Sequence, residues 1–291
     1  MRFPSLVWTA VLAGCGVGVT ETTDIPYDSR FSEDVLDIYN PHTAGTARPA
    51  VLVIHGGGWA EGIYRNSLAP QANWLAEAGY VAVNIEYRLT PVASFPAQVQ
   101  DCFCALAYMR AHATELAIDP DRIAGVGYSA GGHLVSMLAT TADDPIVAPD
   151  CGVGPAAPLD AVVTGAGIED MAAMPQFPVV TSFVGASLAD DPELYQEASP
   201  LAHVAAGDPP YLFVSGDGDW LVNFDHQDKP MIAALDAVGT ETRLLEIPGG
   251  GHVLNGSTDG GEWELPLTSF DTPPAQDAML DFLEHTIGPP P

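Results

Sequence analysis

Apolar positions along this chain fall into short continuous runs, separated by helix-length segments with a 3.6-residue period. The segment "DVLDIYNP" alternates and closes in Asn-Pro, which predicts a strand ended by a turn. "AVLVIHG" is continuously apolar, as suits a strand buried on both faces. Ser67 to Ala78, carrying Leu68, Trp74 and Leu75, predicts a helix stopped by Gly79. "YVAVNIEYRL" predicts the next strand, and about Ala97 to Thr114 a long helix.

The rhythm continues downstream. "DRIAGVGYS" is a strand entering the helix "AGGHLVSMLATTA"; "LDAVVTGAG" and "PYLFVSGDG" are strands; "MIAALDAVG" is a helix ending at Gly239. "TRLLEIPGGGH" is a further strand and "AQDAMLDFLEHTIG" the closing helix. This order predicts an α/β fold, a mostly parallel central sheet with helices on both faces. Two proline-rich stretches, Asp143 to Pro158 and Asp170 to Pro200, show no period and are expected as irregular loops over the sheet edge, where loops shape binding sites.

Composition narrows the class. A chain of 291 residues, 47% hydrophobic, can bury one substantial core, and one domain fits this length better than two. Nine Lys+Arg against 38 Asp+Glu give a net charge of -29, which repels phosphate backbones and argues against nucleic-acid or anionic-membrane binding; a small neutral or cationic partner fits better. The charge otherwise speaks of solubility or a salty habitat and names no chemistry.

The N-terminus sets Arg2 ahead of an apolar run from Phe3 to Ala13, the layout of a secretory signal and too short to span a bilayer. Leu12, Ala13, Gly14 and Cys15 resemble a bacterial lipoprotein box, in which the cysteine takes a diacylglyceryl group and becomes the mature N-terminus. The alternative is an ordinary cleaved signal with an incidental cysteine. The expected organisation is a signal over 1–14, lipid attachment at Cys15, a polar tether over 15–33 and one domain over 34–291, with membrane contact through the lipid alone.

Cys102 shares a helical stripe with Val99, Phe103 and Leu106 and is expected in the core. Cys104 lies off that stripe and could pair with Cys151 in an oxidising compartment, which the spacing leaves open. No metal-ligand spacing occurs, and neither metal nor cofactor is expected.

Candidate chemistry centres on "GVGYSAGGHL", where Gly127, Ser129 and Gly131 form G-x-S-x-G between a predicted strand and a predicted helix. A serine on such a turn projects its hydroxyl above the carboxyl end of the sheet, and the turn is too crowded for side chains two residues either way. The hydroxyl needs a histidine to take its proton and a carboxylate to orient that histidine. His252 stands in the glycine-rich loop after the last predicted strand, and Asp217 and Asp219 follow the strand before it. The order serine, acid, histidine is that of α/β-hydrolases.

Taken together, "HGGGW", "YRLTP", "FPAQVQDC", "DPDRIAGVGYSAGGHL", "ASPLAHV", "GDGDWLV" and "PGGGH" resemble the α/β-hydrolase esterases of the carboxylesterase and acetyl-xylan/feruloyl esterase group, with the hormone-sensitive-lipase-like esterases as relatives. The motifs run from about Leu36 to the last helix. The resemblance implies Ser129, Asp219 and His252 as the triad, Asp219 because Gly216, Asp219 and Val222 fill the family's G-x-x-D-x-x-V pattern; Asp217 would then shape its loop. It implies oxyanion donors at the N–H groups of Gly57, Gly58 and Ala130, with Gly56 as the turn that brings the loop in. His55 is expected to brace that loop, and Trp59 and Tyr128 to pack it or line the pocket. His42, His112, His133, His203, His226 and His285 are expected to be structural or exposed.

The implied activity is hydrolysis of carboxylic esters of small or aromatic acyl groups, on a small molecule or a polysaccharide. The short lead into the first predicted strand leaves no room for a sizeable N-terminal cap, so the pocket should be open. An amidase, peptidase or arylformamidase-like hydrolase would use the same triad. A binding module on the same fold would have no reason to keep all of these residues.

Overall fold

The computed structural model describes residues 18–42, 47–60, 62–152, 157–252, 270 and 272–291. In it eight strands make one sheet in the order β1-β2-β4-β3-β5-β6-β7-β8. β1 (Val19–Pro26) and β2 (Val35–Pro41) are antiparallel additions at one edge, and β3 (Arg48–Ile54) begins the parallel body. After α1 (Ala69–Glu77) come β4 (Val81–Ile85), α2 (Ala97–Ala111) and the short α3 (Ala113–Leu116). Then follow β5 (Ile118–Tyr128), α4 (Ala130–Thr140) and β6 (Ala161–Gly165). Two short helices, α5 (Pro178–Val184) and α6 (Pro192–Glu197), precede β7 (Tyr211–Gly216), α7 (Asp228–Val238), β8 (Thr242–Ile247) and α8 (Pro273–Thr286).

The continuous apolar strands are buried on both faces. On β3, Ala50, Leu52 and Ile54 face a core filled by α2, α4 and α7, while Val51 and Val53 face one filled by α1 and α8. Helix α2 has no polar face: Cys102, Phe103, Cys104 and Leu106 are all buried. The sulfurs of Cys104 and Cys151 are bonded, which fastens α2 to the loop after α4. Cys102 remains a free, buried thiol. The "YRL" and "QD" motifs meet here too, since Arg88 Nε donates to both carboxylate oxygens of Asp101 on α2, at 2.9 and 2.8 Å.

Three expectations are corrected. The tether expected over 15–33 is in part a strand: Val19 to Pro26 pairs with β2, with an irregularity between Thr22 and Ile25. Its polar composition reflects an edge strand with little to bury, and threonine and isoleucine are still good strand formers. The domain therefore begins at or before Val19, not at residue 34. The stretch from Asp170 to Pro200, expected to be irregular, contains α5 and α6, each started by a proline at its first position, Pro178 and Pro192. Proline at that position gives up no helical hydrogen bond, so it opens a helix as readily as it breaks one. The long helix expected to reach Thr114 stops at Ala111 and restarts as α3. The signal segment 1–14 and Cys15 lie outside the described residues.

Chain direction across the sheet reverses at β3, which has β4 on one side and β5 on the other. Such a reversal opens a crevice at the carboxyl ends of the two flanking strands. β3 ends into His55 and Gly56–Gly58, and β5 ends into Ser129. Among the described residues no helical cap precedes the sheet.

Candidate active site

Ser129 sits between β5 and α4 with φ 54° and ψ -119°, a conformation that non-glycine residues adopt only when the surroundings impose it. Those surroundings are glycines. A Cβ on Gly127 would lie 2.1 Å from the Gly131 carbonyl oxygen, and one on Gly131 would lie 2.0 Å from that of Ile54. The turn closes only without side chains at either place, and the Ser129 N–H anchors it on the Gly165 carbonyl at 2.8 Å.

His252 Nε2 lies 3.0 Å from Ser129 Oγ, and His252 Nδ1 lies 2.7 Å from Asp219 Oδ2. Asp219 is buried, and its other oxygen accepts the N–H groups of Leu221 at 2.8 Å and Val222 at 2.9 Å. The carboxylate is thus held from behind while facing the ring. A carboxylate on Nδ1 fixes the tautomer that leaves Nε2 able to accept the serine proton. The loops carrying the acid and the histidine touch through glycine: Gly218 N–H donates to the Gly250 carbonyl at 2.9 Å, and a Cβ on Gly216 would meet that oxygen at 2.1 Å. Asp217 points elsewhere, accepting the Gly249 N–H.

The glycine run after β3 packs directly on the serine turn. A Cβ on Gly56 would fall 2.7 Å from the Tyr128 carbonyl oxygen, while Gly57 and Gly58 have φ of 102° and 64°. Close approach therefore requires the first glycine, and backbone conformation favours the other two. Among the described residues, the N–H groups of Gly57 and Gly58 enter no hydrogen bond, and that of Ala130 stands in the first turn of α4, where no helical acceptor exists.

His55 is buried, stacked on Tyr87 with ring centroids 4.4 Å apart, and hydrogen-bonded through Nδ1 to the Gly56 carbonyl and through Nε2 to Glu86, both at 2.8 Å. These contacts tie the start of the glycine run to the end of β4. Trp59, left open between pocket and packing, packs: it is 1% exposed, stacks on Phe183 of α5 at 4.1 Å and donates to His133 Nδ1 at 3.2 Å. His133 in turn donates from Nε2 to the Ala198 carbonyl, and burial pushes its pKa down to about 4, so it is a neutral strut. The Tyr128 ring lies 5.5 Å from that of His252 and 6.0 Å from Phe270, which places it at the site. The remaining histidines find their neighbours away from Ser129; His42 bonds Thr20, His112 bonds Glu115, His203 bonds the Glu197 carbonyl, His285 bonds Glu241, and His226 is exposed.

Several site-supporting residues were not legible as such. Glu86 gave only one hint, an acid at the carboxyl end of a buried strand. Val179, within 3.1 Å of a Cβ placed on Gly58, and Phe183 came with α5, whose opening proline was the available signal. Behind Asp219 lie two further buried acids. Glu169 Oε1 accepts from the hydroxyls of Ser136 at 3.0 Å and Thr164 at 3.2 Å, and Asp228 accepts from Ser215 at 2.7 Å. Burial, helped by the charge of Asp228, pushes Glu169 up to about 8; burial, helped by Asp219, pushes Asp228 up to about 7. Among the described residues, Asp28, Cys104 and Cys151 cluster closely enough to suggest metal ligands, but the disulfide occupies both sulfurs.

The BD-FAE family model matches residues 36–232. Esterase LipQ of Mycobacterium tuberculosis (strain ATCC 25618 / H37Rv) is 32% identical over 244 residues, which cover 81% of this chain and 58% of LipQ. The chain spans about half to three-fifths of the length of LipQ and two further esterase relatives from the same organism. A solved structure described as "Truncated form of carbohydrate esterase from gut microbiota" aligns with a TM-score of 0.79 at 28% identity, covering 94% of this chain and 98% of that one. "Bifunctional GH43-CE Bacteroides eggerthii" aligns with a TM-score of 0.78 at 26% identity, covering 92% of this chain and 35% of that one.

Proposed function

The chain belongs to the BD-FAE family, and from that premise we propose that it is a serine hydrolase of carboxylic esters. The observation that carries the reading is the hydrogen-bonded line from Asp219 through His252 to Ser129, ending beside the Gly57–Gly58 loop.

Ser129 Oγ attacks the ester carbonyl as His252 Nε2 takes its proton. The carbonyl oxygen, becoming an oxyanion, is met by the N–H groups of Gly57, Gly58 and Ala130, the last at the positive end of α4. His252 then hands its proton to the leaving alcohol, and an acyl group stays on Ser129. Water attacks that acyl-serine with His252 again as base, and the acid leaves. Asp219 holds the ring in place and stabilises the imidazolium that forms twice per cycle. The chain needs no metal or cofactor for these steps.

Small or aromatic acyl groups, acetyl or feruloyl, fit a strongly acidic surface and a site with no helical cap ahead of the sheet among the described residues. The carbohydrate esterase among the structural neighbours supports an ester borne on a polysaccharide. Turnover of p-nitrophenyl acetate, lost by at least about 10³-fold in Ser129→Ala, tests the reading; equal turnover in the variant would sink it. A p-nitrophenyl ester series peaking at long acyl chains would overturn the acyl preference.

The protein is exported and held to a membrane by a lipid on Cys15. The N-terminal pattern supports this, and so does a disulfide between Cys104 and Cys151, since such bonds persist in oxidising compartments. Cys15→Ser should move the protein from the detergent phase to the aqueous phase; unchanged partitioning would refute the anchor.

A further inference from the structure

A second cleft, of about 400 Å³, lies at the carboxyl end of β4, where Val35 and Glu86 come together. That is the same end of the sheet as Ser129, two strands away, and the size falls in the range of small-molecule pockets. We propose that this cleft binds a neutral saccharide, the carbohydrate that carries the ester; as a substrate subsite it rests on the esterase reading.

The charged groups of the wall argue first. Glu33, Asp37 and Glu86 outnumber Arg65, which disfavours anions such as phosphates or uronates. Yet these charges already have internal partners. Asp37 accepts from Arg65 Nε at 2.8 Å and from the Asp24 N–H at 2.9 Å. Glu86 accepts from His55 at 2.8 Å and from the Arg65 N–H at 3.0 Å, and Glu33 accepts from the Ser32 hydroxyl at 2.9 Å. Asp37 and Glu86 thus stand against Arg65 and His55, and only Glu33 faces a neutral partner, so the wall favours neutral hydroxyl donors over a strongly cationic ligand.

What it offers is a set of neutral contacts. Tyr64 is 44% exposed, and Asn66 is exposed beside it; among the described residues neither side chain makes a hydrogen bond. Val35 and Leu89 add apolar wall, and the carboxylates keep spare lone pairs for hydroxyl donors. A sugar ring matches this arrangement, with C–H groups for the aromatic face and hydroxyls for the amide and carboxylates. The cleft also shares a residue with the reacting end: Glu86, in its wall, holds His55, which holds the Gly56 carbonyl.

Isothermal titration calorimetry with xylo-, manno- and cello-hexaose tests the assignment without relying on turnover. The unmodified protein should bind at least one of them, Tyr64→Ala should weaken that binding about tenfold, and Tyr64→Trp should retain it. Ser129→Ala should bind as the unmodified protein does. Absence of binding to all three sugars, or equal affinity in Tyr64→Ala, would overturn the proposal. Saccharide binding in a protein that fails to turn over p-nitrophenyl acetate would leave the cleft standing and remove the esterase reading instead.

Discussion

His252 Nδ1 stands 2.7 Å from Asp219 Oδ2, whereas Asp217, two residues earlier in the same loop, directs its carboxylate to the Gly249 N–H. Two acids at the end of one strand thus have separate tasks. Asp219→Asn should lower kcat on p-nitrophenyl acetate by roughly 10³- to 10⁴-fold, because an amide favours the wrong tautomer of the ring. Asp217→Asn should stay within about tenfold of the unmodified enzyme, the scale of a loop adjustment. Interchanged effects in steady-state kinetics would reassign the acid.

Gly58→Ala should fold and lose about a hundredfold or more in kcat, the scale of one oxyanion donor. At φ 64° an alanine pays about 1 kcal/mol in backbone strain, and its Cβ would press on Val179 at 3.1 Å, a contact that side chain can relieve. The melting temperature should therefore fall by only a few degrees. Undiminished turnover would mean that the loop does not meet the carbonyl oxygen.

Glu169 predicts a pH dependence of stability with a definite sign. Its carboxyl titrates near 4.5 when free and at about 8 in the folded chain, so between those values the unfolded chain has released a proton that the folded one keeps. Stability therefore falls as pH rises through this window, by on the order of a few kcal/mol, and levels off above it. Urea midpoints at pH 5 and pH 8 should differ, and Glu169→Gln, a neutral mimic, should narrow the gap; Asp228 keeps part of it. An unchanged gap in the variant would show the slope to arise elsewhere.

Breaking the Cys104–Cys151 bond releases a closed loop with a sequence separation of 47. Loop entropy of that length corresponds to roughly 3–4 kcal/mol, so Cys104→Ser with Cys151→Ser should melt on the order of 5–10 °C lower. The same melting temperature with and without a reductant would contradict this.

Much of the parallel body was legible in advance because β3, β6, β7 and the second half of β5 are buried on both faces and so are mostly apolar. The serine turn was legible for a related reason: crowding at Gly127 and Gly131 admits one residue type, and that restriction is written in the chain. β1 was hidden because an edge strand with a solvated face needs few apolar residues, so Thr20, Glu21 and Thr22 resemble a linker. The helices α5 and α6 were hidden because Pro178 and Pro192 look like breaks until their place in the first turn is known. Glu86 and His133 act through contacts with residues 31 and 65 positions away in sequence, and no local period records such distances.

The direction of β1 has a consequence for the whole molecule. It runs antiparallel to β2, which runs antiparallel to β4, so Val19 lies at the amino end of the parallel strands, opposite Ser129. With Cys15 acylated as proposed, four residue steps separate the lipid from the first strand, a leash of at most about 14 Å. So short a leash would fix orientation as well as attachment. The amino end of the sheet would rest toward the bilayer, and the catalytic edge would point outward, where polymers too large to approach the lipid could still reach it.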